Sequence, residues 1–123
     1  MFEMLTKHIR EIRRAQARLE ELEDPYDARF DELRAWTKDL RSSGLTDRDC
    51  VATLEGYGVD VGGDLAFVDG SSMDYRAALA LLTFLWRADR TNETVMIDAT
   101  RCGLLLDVLE SLARLDAAAG HAA

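Results

Sequence analysis

A chain of 123 residues that is 48% apolar and 31% charged has the length of one domain and too many apolar residues for a disordered segment. Its 23 acidic residues outnumber 15 basic ones, for a formal charge of −8, so a phosphate backbone repels it and direct nucleic-acid binding is not expected. No unbroken apolar run reaches the roughly 18 residues of a membrane span, and the opening MFEMLTKHIREIRR has no apolar signal region, which predicts a cytoplasmic protein without membrane contact.

In that compartment Cys50 and Cys102 are expected as free thiols, although a disulfide between them is not decided by sequence.

The first predicted element is a helix over residues 2–22. Leu5, His8, Ile12, Ala15, Leu19 and Leu22 step by three and four alternately, a seam against another helix. Asp24 before Pro25 is a good N-cap and first-position pair for a second helix over 25–42, with Tyr26, Phe30, Leu33, Trp36, Thr37 and Leu40 inward. The short link makes the two an antiparallel hairpin, closed by Gly44. Thr46 and Asp49 resemble a capping box for a short helix over 47–57, whose Cys50, Val51, Leu54 and Tyr57 are expected to face inward.

VDVGGDLAFVDG, residues 59–70, carries the only clear strand pattern. A three-residue loop at Gly62–Asp64 pairs Val61 with Leu65 and Val59 with Phe67, giving a small β-hairpin at about 59–68 with one apolar face. Ser71 or Ser72 is the expected cap of a helix over about 73–90. Its middle, AALALLTFLW, is apolar all round, as in a helix surrounded by other elements. For residues 92–103 the pattern favours a short helix capped by Asn92 and ended by Gly103 over a strand at Thr94–Ile97. A last helix over 104–117 packs through Leu105, Val108, Leu109, Leu112 and Leu115, and the tail, 118–123, is expected to fray.

The fold class is therefore mainly α: one compact helical domain over 1–123. It comprises a helical hairpin (1–43), an α-rich core (44–117) with a central buried helix, and the small β-hairpin.

Arg87 and Arg90 stand three apart at the end of the central helix. Cations there complement the helix dipole, so the plain reading is capping and ion pairing with Asp89, Asp98 or Asp107. The sharper one is an anion site, since guanidinium forks suit carboxylates and phosphates. The stretch ALLTFLWRADRTNETVMIDATRCGLLLDVLESLARL resembles the C-terminal core of a bacterial and phage domain-of-unknown-function family. The shared features fall on Leu81, Leu82, Thr83, Arg87, Arg90, Gly103 and Leu109. The resemblance spans about a quarter of the chain and implies an α-rich fold with the arginines near its centre, but no activity.

No recognised catalytic or metal motif is present. His8 lies on the inner seam of the first helix, where a lone histidine is expected to be hydrogen-bonded, and His121 lies in the tail. Neither cysteine belongs to a Cys-x-x-Cys pair, so no metal, cofactor or catalytic residue is assigned. Asp69, Asp74, Asp98 and Asp107 are the carboxylates to watch for a pair that meets in space.

The most uneven charge is EELEDPYDARFDE, where Glu20, Glu21, Glu23, Asp24, Asp27, Asp31 and Glu32 face only Arg29. Read plainly, it is a solvated turn. Read functionally, it is a docking surface for a protein partner with a basic groove, the acids taking the places of phosphates.

The leading expectation is thus a small acidic protein-binding module, in its concrete form a phage or mobile-element inhibitor of a nucleic-acid-handling defence complex (anti-CRISPR-like). The alternatives are a homodimer or scaffold joined through the seam of the first helix, and an enzyme using Arg87, Arg90 and a buried carboxylate.

Overall fold

The computed structural model of the chain describes residues 3–23, 31–44, 47–60, 68–70, 73–91 and 95–122, with the side chains of 31, 32, 90, 91 and 119–122 outside that description. The described elements are α1 (Glu3–Thr6), α2 (Ile9–Glu21), α3 (Asp31–Ser43), α4 (Cys50–Gly56), α5 (Tyr75–Thr91), α6 (Val95–Arg101) and α7 (Leu104–Ala122). The mainly α expectation holds. Residues 61–67 of the expected β-hairpin lie outside the described residues, and among the described residues there is no strand.

The apolar seam buries Leu5, Ile12, Ala15 and Leu19 against the rest of the core, as its spacing predicts. The single helix expected over 2–22 is nevertheless broken at Lys7–His8. There the His8 N–H reaches back only to the Leu5 carbonyl at 3.3 Å, and the ladder resumes with Ile12 N–H on the His8 carbonyl at 2.9 Å. The break coincides with a tertiary hydrogen bond that periodicity does not register: His8 Nε2 lies 2.6 Å from Asp39 Oδ2. That contact joins the start of α2 to the last turns of α3, so the two helices run antiparallel. On α3, Leu33, Trp36 and Leu40 face the core at helical spacing.

The short helix α4 buries one narrow stripe, Cys50 and Leu54, while Val51 is 41% and Tyr57 48% exposed. The expectation that all four face inward is therefore half right; a two-turn helix packed mainly on α5 has one covered side. Its N-terminus is organised by Asp47, which accepts the Asp49 N–H (2.9 Å) and the Thr53 hydroxyl (2.6 Å). Asp49 makes no side-chain cap, and Thr46 of the expected capping box lies outside the described residues. At the other end the Val59 N–H bonds the Leu54 carbonyl and the Gly58 N–H bonds that of Glu55. This double closure needs a left-handed residue, which Gly58 supplies at φ +78.

Helix α5 is the predicted centre: Ala77, Ala78, Ala80, Leu81, Leu82 and Leu85 are buried, and the helix packs on α4, α6 and α7. Its cap is Asp74, whose Oδ1 accepts the Ala77 N–H at 2.9 Å. Ser71 and Ser72, the caps expected from sequence, lie outside the described residues. Thr83, the one polar residue of the apolar run, is buried yet doubly bonded. Its hydroxyl donates to the Leu79 carbonyl (2.7 Å) and accepts the Asp47 N–H (3.0 Å), tying α5 to the entry of α4.

Residues 95–101 are helical, not extended. The Asp89 carboxylate of α5 accepts the Met96 N–H at 3.0 Å, so the cap of α6 comes from the preceding helix, while Asn92 lies outside the described residues. Helix α7 continues to Ala122, past the expected end at 117, through an alanine-rich segment of high helix propensity. Its Ser111 is buried and donates to the Gly70 carbonyl at 2.7 Å. Glycine fits closely there: a Cβ would stand 2.8 Å from Val108 Cγ2 and 3.0 Å from Leu104 Cδ1, so any larger residue requires those side chains to shift.

Candidate functional site

Arg87 points back to α4, its Nη1 donating to the Arg48 carbonyl at 3.0 Å with Cys50 Sγ 3.7 Å away. It therefore helps fasten α4 to α5. The side chain of Arg90 lies outside the described residues, so no arginine pair is described. Among the described residues the polar residues buried as a whole are Thr83, Thr100 and Ser111, none of them an acid that could pair with Arg87.

Of the four watched carboxylates, Asp69 and Asp107 come close enough to repel one another, whereas Asp74 is engaged at the start of α5. Asp74 caps α5 and also accepts the Tyr57 hydroxyl at 2.7 Å. The Ala77 N–H, then the Tyr57 hydroxyl, hold its carboxyl below the ordinary aspartate range. Asp107 shifts the opposite way. Partial removal from water disfavours its charge, and the negative charges of Glu110 and Asp69 add to that, with Arg114 opposing them. Asp98 sits in the first turn of α6.

His8 meets the hydrogen-bonded role expected of it. Asp39 lies between His8 and Lys7, whose Nζ is 3.1 Å from the same oxygen, and the His8 hydrogen bond followed by that of Lys7 lowers the Asp39 carboxyl pKa. Among the described residues no group of three or more His, Cys, Asp or Glu could hold a metal ion, and both cysteines are free, Cys50 buried and Cys102 exposed. No helix among the described residues is long and apolar enough to cross a membrane.

Of the acidic stretch, Glu20, Glu21 and Glu23 are described, and all three are exposed. They stand at the C-terminal end of α2, on either side of Leu22, which is 42% exposed. Asp24 and Asp27 lie outside the described residues, as do the side chains of Asp31 and Glu32. The seam offered for a homodimer is used internally, with Ile12 and Leu19 covered by the chain's own helices.

A feature that sequence reading missed is an open groove of about 610 Å³ between α4 and the start of α5. Arg48, Thr53, Gly56, Tyr57, Tyr75 and Arg76 are among its lining residues. Tyr57 and Tyr75 are 48% and 50% exposed at its rim. Assigning Tyr57 to the core hid the groove; the available signal was the brevity of α4, which limits how many of its faces can be covered.

The chain matches no protein-family model, no curated protein and no solved structure.

Proposed function

We propose that the chain is a small protein-binding module whose acidic tip docks on a basic surface of a partner protein. The observation that supports this is the position of Glu20 and Glu21 in the last turn of α2, with Glu23 just beyond. The C-terminal end of a helix carries the negative end of its dipole, and each exposed charge there weighs about 0.3–1 kcal/mol. These acids therefore work against the helix that carries them, and local choices that oppose local stability are where function is expected. Exposed Leu22 adds an apolar contact among the charges.

In the narrower form of this reading the partner is a nucleic-acid-handling defence complex, and the module is an anti-CRISPR-like inhibitor from a phage or mobile element. Its acids would occupy positions that phosphates fill in the uninhibited complex. Asp24, Asp27, Asp31 and Glu32 extend the same charge along the sequence.

The test is the triple variant Glu20→Lys, Glu21→Lys and Glu23→Lys. Wild type and variant are used as bait in lysate of the cells that carry the gene, at low and high salt, with bound proteins quantified. A basic protein held by the wild type and released by both the substitutions and salt supports the reading. Equal capture by the two baits removes the tip as the docking surface.

A further inference from the structure

We infer that the outward side of the α2–α3 hairpin is a second docking site, one that takes the phosphate backbone of a nucleic acid duplex independently of the acidic tip. Charge complementarity carries the assignment. Residues 7–18 and 34–41 hold eight of the chain's 15 basic residues against two acids, Glu11 and Asp39. A total of −8 keeps phosphate away only where the charges are evenly mixed, and here they are segregated. Both acids are turned to the fold: Asp39 is held by His8 and Lys7, and one carboxylate oxygen of Glu11 is buried. Arg13 is taken by Glu110 of α7. Arg10, Arg14, Arg18, Arg34, Lys38 and Arg41 remain, and all six are exposed.

The two helices turn these cations away from the core. On α2, Ile12, Ala15 and Leu19 are buried, while Arg10, Arg14 and Arg18 recur every fourth residue on the exposed side. On α3, Leu33, Trp36 and Leu40 are buried, while Arg34, Lys38 and Arg41 stand four and three apart on the exposed side. The His8–Asp39 bond sets the start of α2 beside the last turns of α3, so Arg10 and Lys38 lie at one level, at the end of the hairpin away from the acidic tip. Among the described residues Arg10, Arg14, Arg34 and Lys38 make no hydrogen bond or ion pair. Like charges four apart oppose the helix that carries them, so the row on α2 serves an outside anion better than it serves the fold.

The face also selects among anions. A duplex carries one negative charge per about 1.7 Å of its axis, and arginine forks suit phosphate oxygens. A protein interface or a membrane contact is built around apolar anchors. Among the described residues no large apolar side chain is exposed between Lys7 and Arg18 or between Arg34 and Arg41; Met4 and Leu22 lie beyond those stretches. Nor is an aromatic ring exposed there to stack on unpaired bases, since Trp36 is fully buried.

The test uses the full chain, titrated by fluorescence anisotropy into a short labelled DNA duplex of arbitrary sequence over a series of salt concentrations. Binding is expected at low salt, with log K falling against log salt at a slope of about 0.9 for each phosphate neutralised. The triple variant Arg10→Gln, Arg14→Gln and Lys38→Gln should flatten that slope by about 2–3 and weaken binding at low salt at least about tenfold. Its thermal stability should be unchanged, because all three side chains are exposed. Arg10→Lys with Arg14→Lys keeps the charges and should keep the wild-type slope.

The inference is overturned by no binding of the duplex at low salt, by equal binding in the triple glutamine variant, or by tighter binding of the single strand of the same sequence. Equal competition by polyglutamate would assign the face to an acidic protein, and binding of phosphatidylserine vesicles without the duplex would assign it to a membrane; either overturns a duplex. The triple lysine variant of the tip keeps the basic face and should hold the duplex at least as tightly as wild type. The triple glutamine variant keeps the tip and should still capture the tip's protein partner, so failure of one surface is distinguishable from failure of the other.

Discussion

Thr83 Oγ1 accepts the backbone N–H of Asp47 at 3.0 Å, so the one hydroxyl of a wholly apolar helical run holds the entry of α4. Thr83 is itself fully buried. Replacing it with valine keeps the shape but strands the Asp47 N–H, which costs about 1–3 kcal/mol for an unsatisfied group. Urea unfolding of Thr83→Val should show a loss in that range, with hydrogen exchange accelerated first in α4. A variant as stable as wild type would show that water replaces the hydroxyl there.

Gly70 lies under α7 with no space for a methyl group. Gly70→Ala forces its Cβ to 2.8 Å from Val108 Cγ2, and overpacking of this kind costs about 1–3 kcal/mol. Thermal denaturation should show Gly70→Ala together with Val108→Ala to be less destabilised than the sum of the two single variants, because the smaller side chain at 108 frees the contested volume. Strict additivity would place the strain elsewhere.

Acid should unfold the chain in part through Asp39 and Asp74. Both carboxyl pKa values are depressed, Asp39 by His8 and then Lys7, Asp74 by the Ala77 N–H and then the Tyr57 hydroxyl. The folded state therefore binds their protons less readily than the unfolded state. Their stabilising contribution is present above the unfolded aspartate value of about 3.9 and is lost as pH falls through the lower folded values. In melts from pH 6 to pH 2 the double variant Asp39→Asn, Asp74→Asn should lose less stability than wild type. Asparagine keeps the cap at 74. Parallel curves would exclude both groups.

Asp107 has the opposite sign. Its folded pKa is raised by desolvation, Glu110 and Asp69, so its charge destabilises the fold at neutral pH and protonation relieves it. Asp107→Asn is expected to raise Tm at pH 7, and the gain should shrink as pH falls through the raised value. A neutral or lower Tm at pH 7 would show that the lost carboxylate served Arg114.

The seam Leu5–Ile12–Ala15–Leu19, the buried run of α5 and the leucine face of α7 were legible because burial on one side of a helix imposes a 3.6-residue period on apolar residues. Helix ends marked by Gly44 and Gly103 were legible too, since both adopt positive φ. The actual partners of several caps were not. Asp89 reaches the Met96 N–H from a different helix, and Asp47 holds Thr53 across six residues, contacts no local pattern encodes.

The sequence by itself determined which segments coil and which faces are apolar, because those depend on near neighbours along the chain. It also determined the strongly acidic character of residues 20–32. Only the tertiary structure decided that the first helix breaks at Lys7–His8, where His8 meets Asp39, that Ile12 and Leu19 are covered by the chain's own core, and that Arg87 turns back to Arg48. It alone set Arg48 and Arg76, 28 positions apart in the numbering, along one groove beside two exposed tyrosines. Such convergence depends on how helices cross, which is settled by the packing of many side chains together and leaves no periodic trace in any one segment.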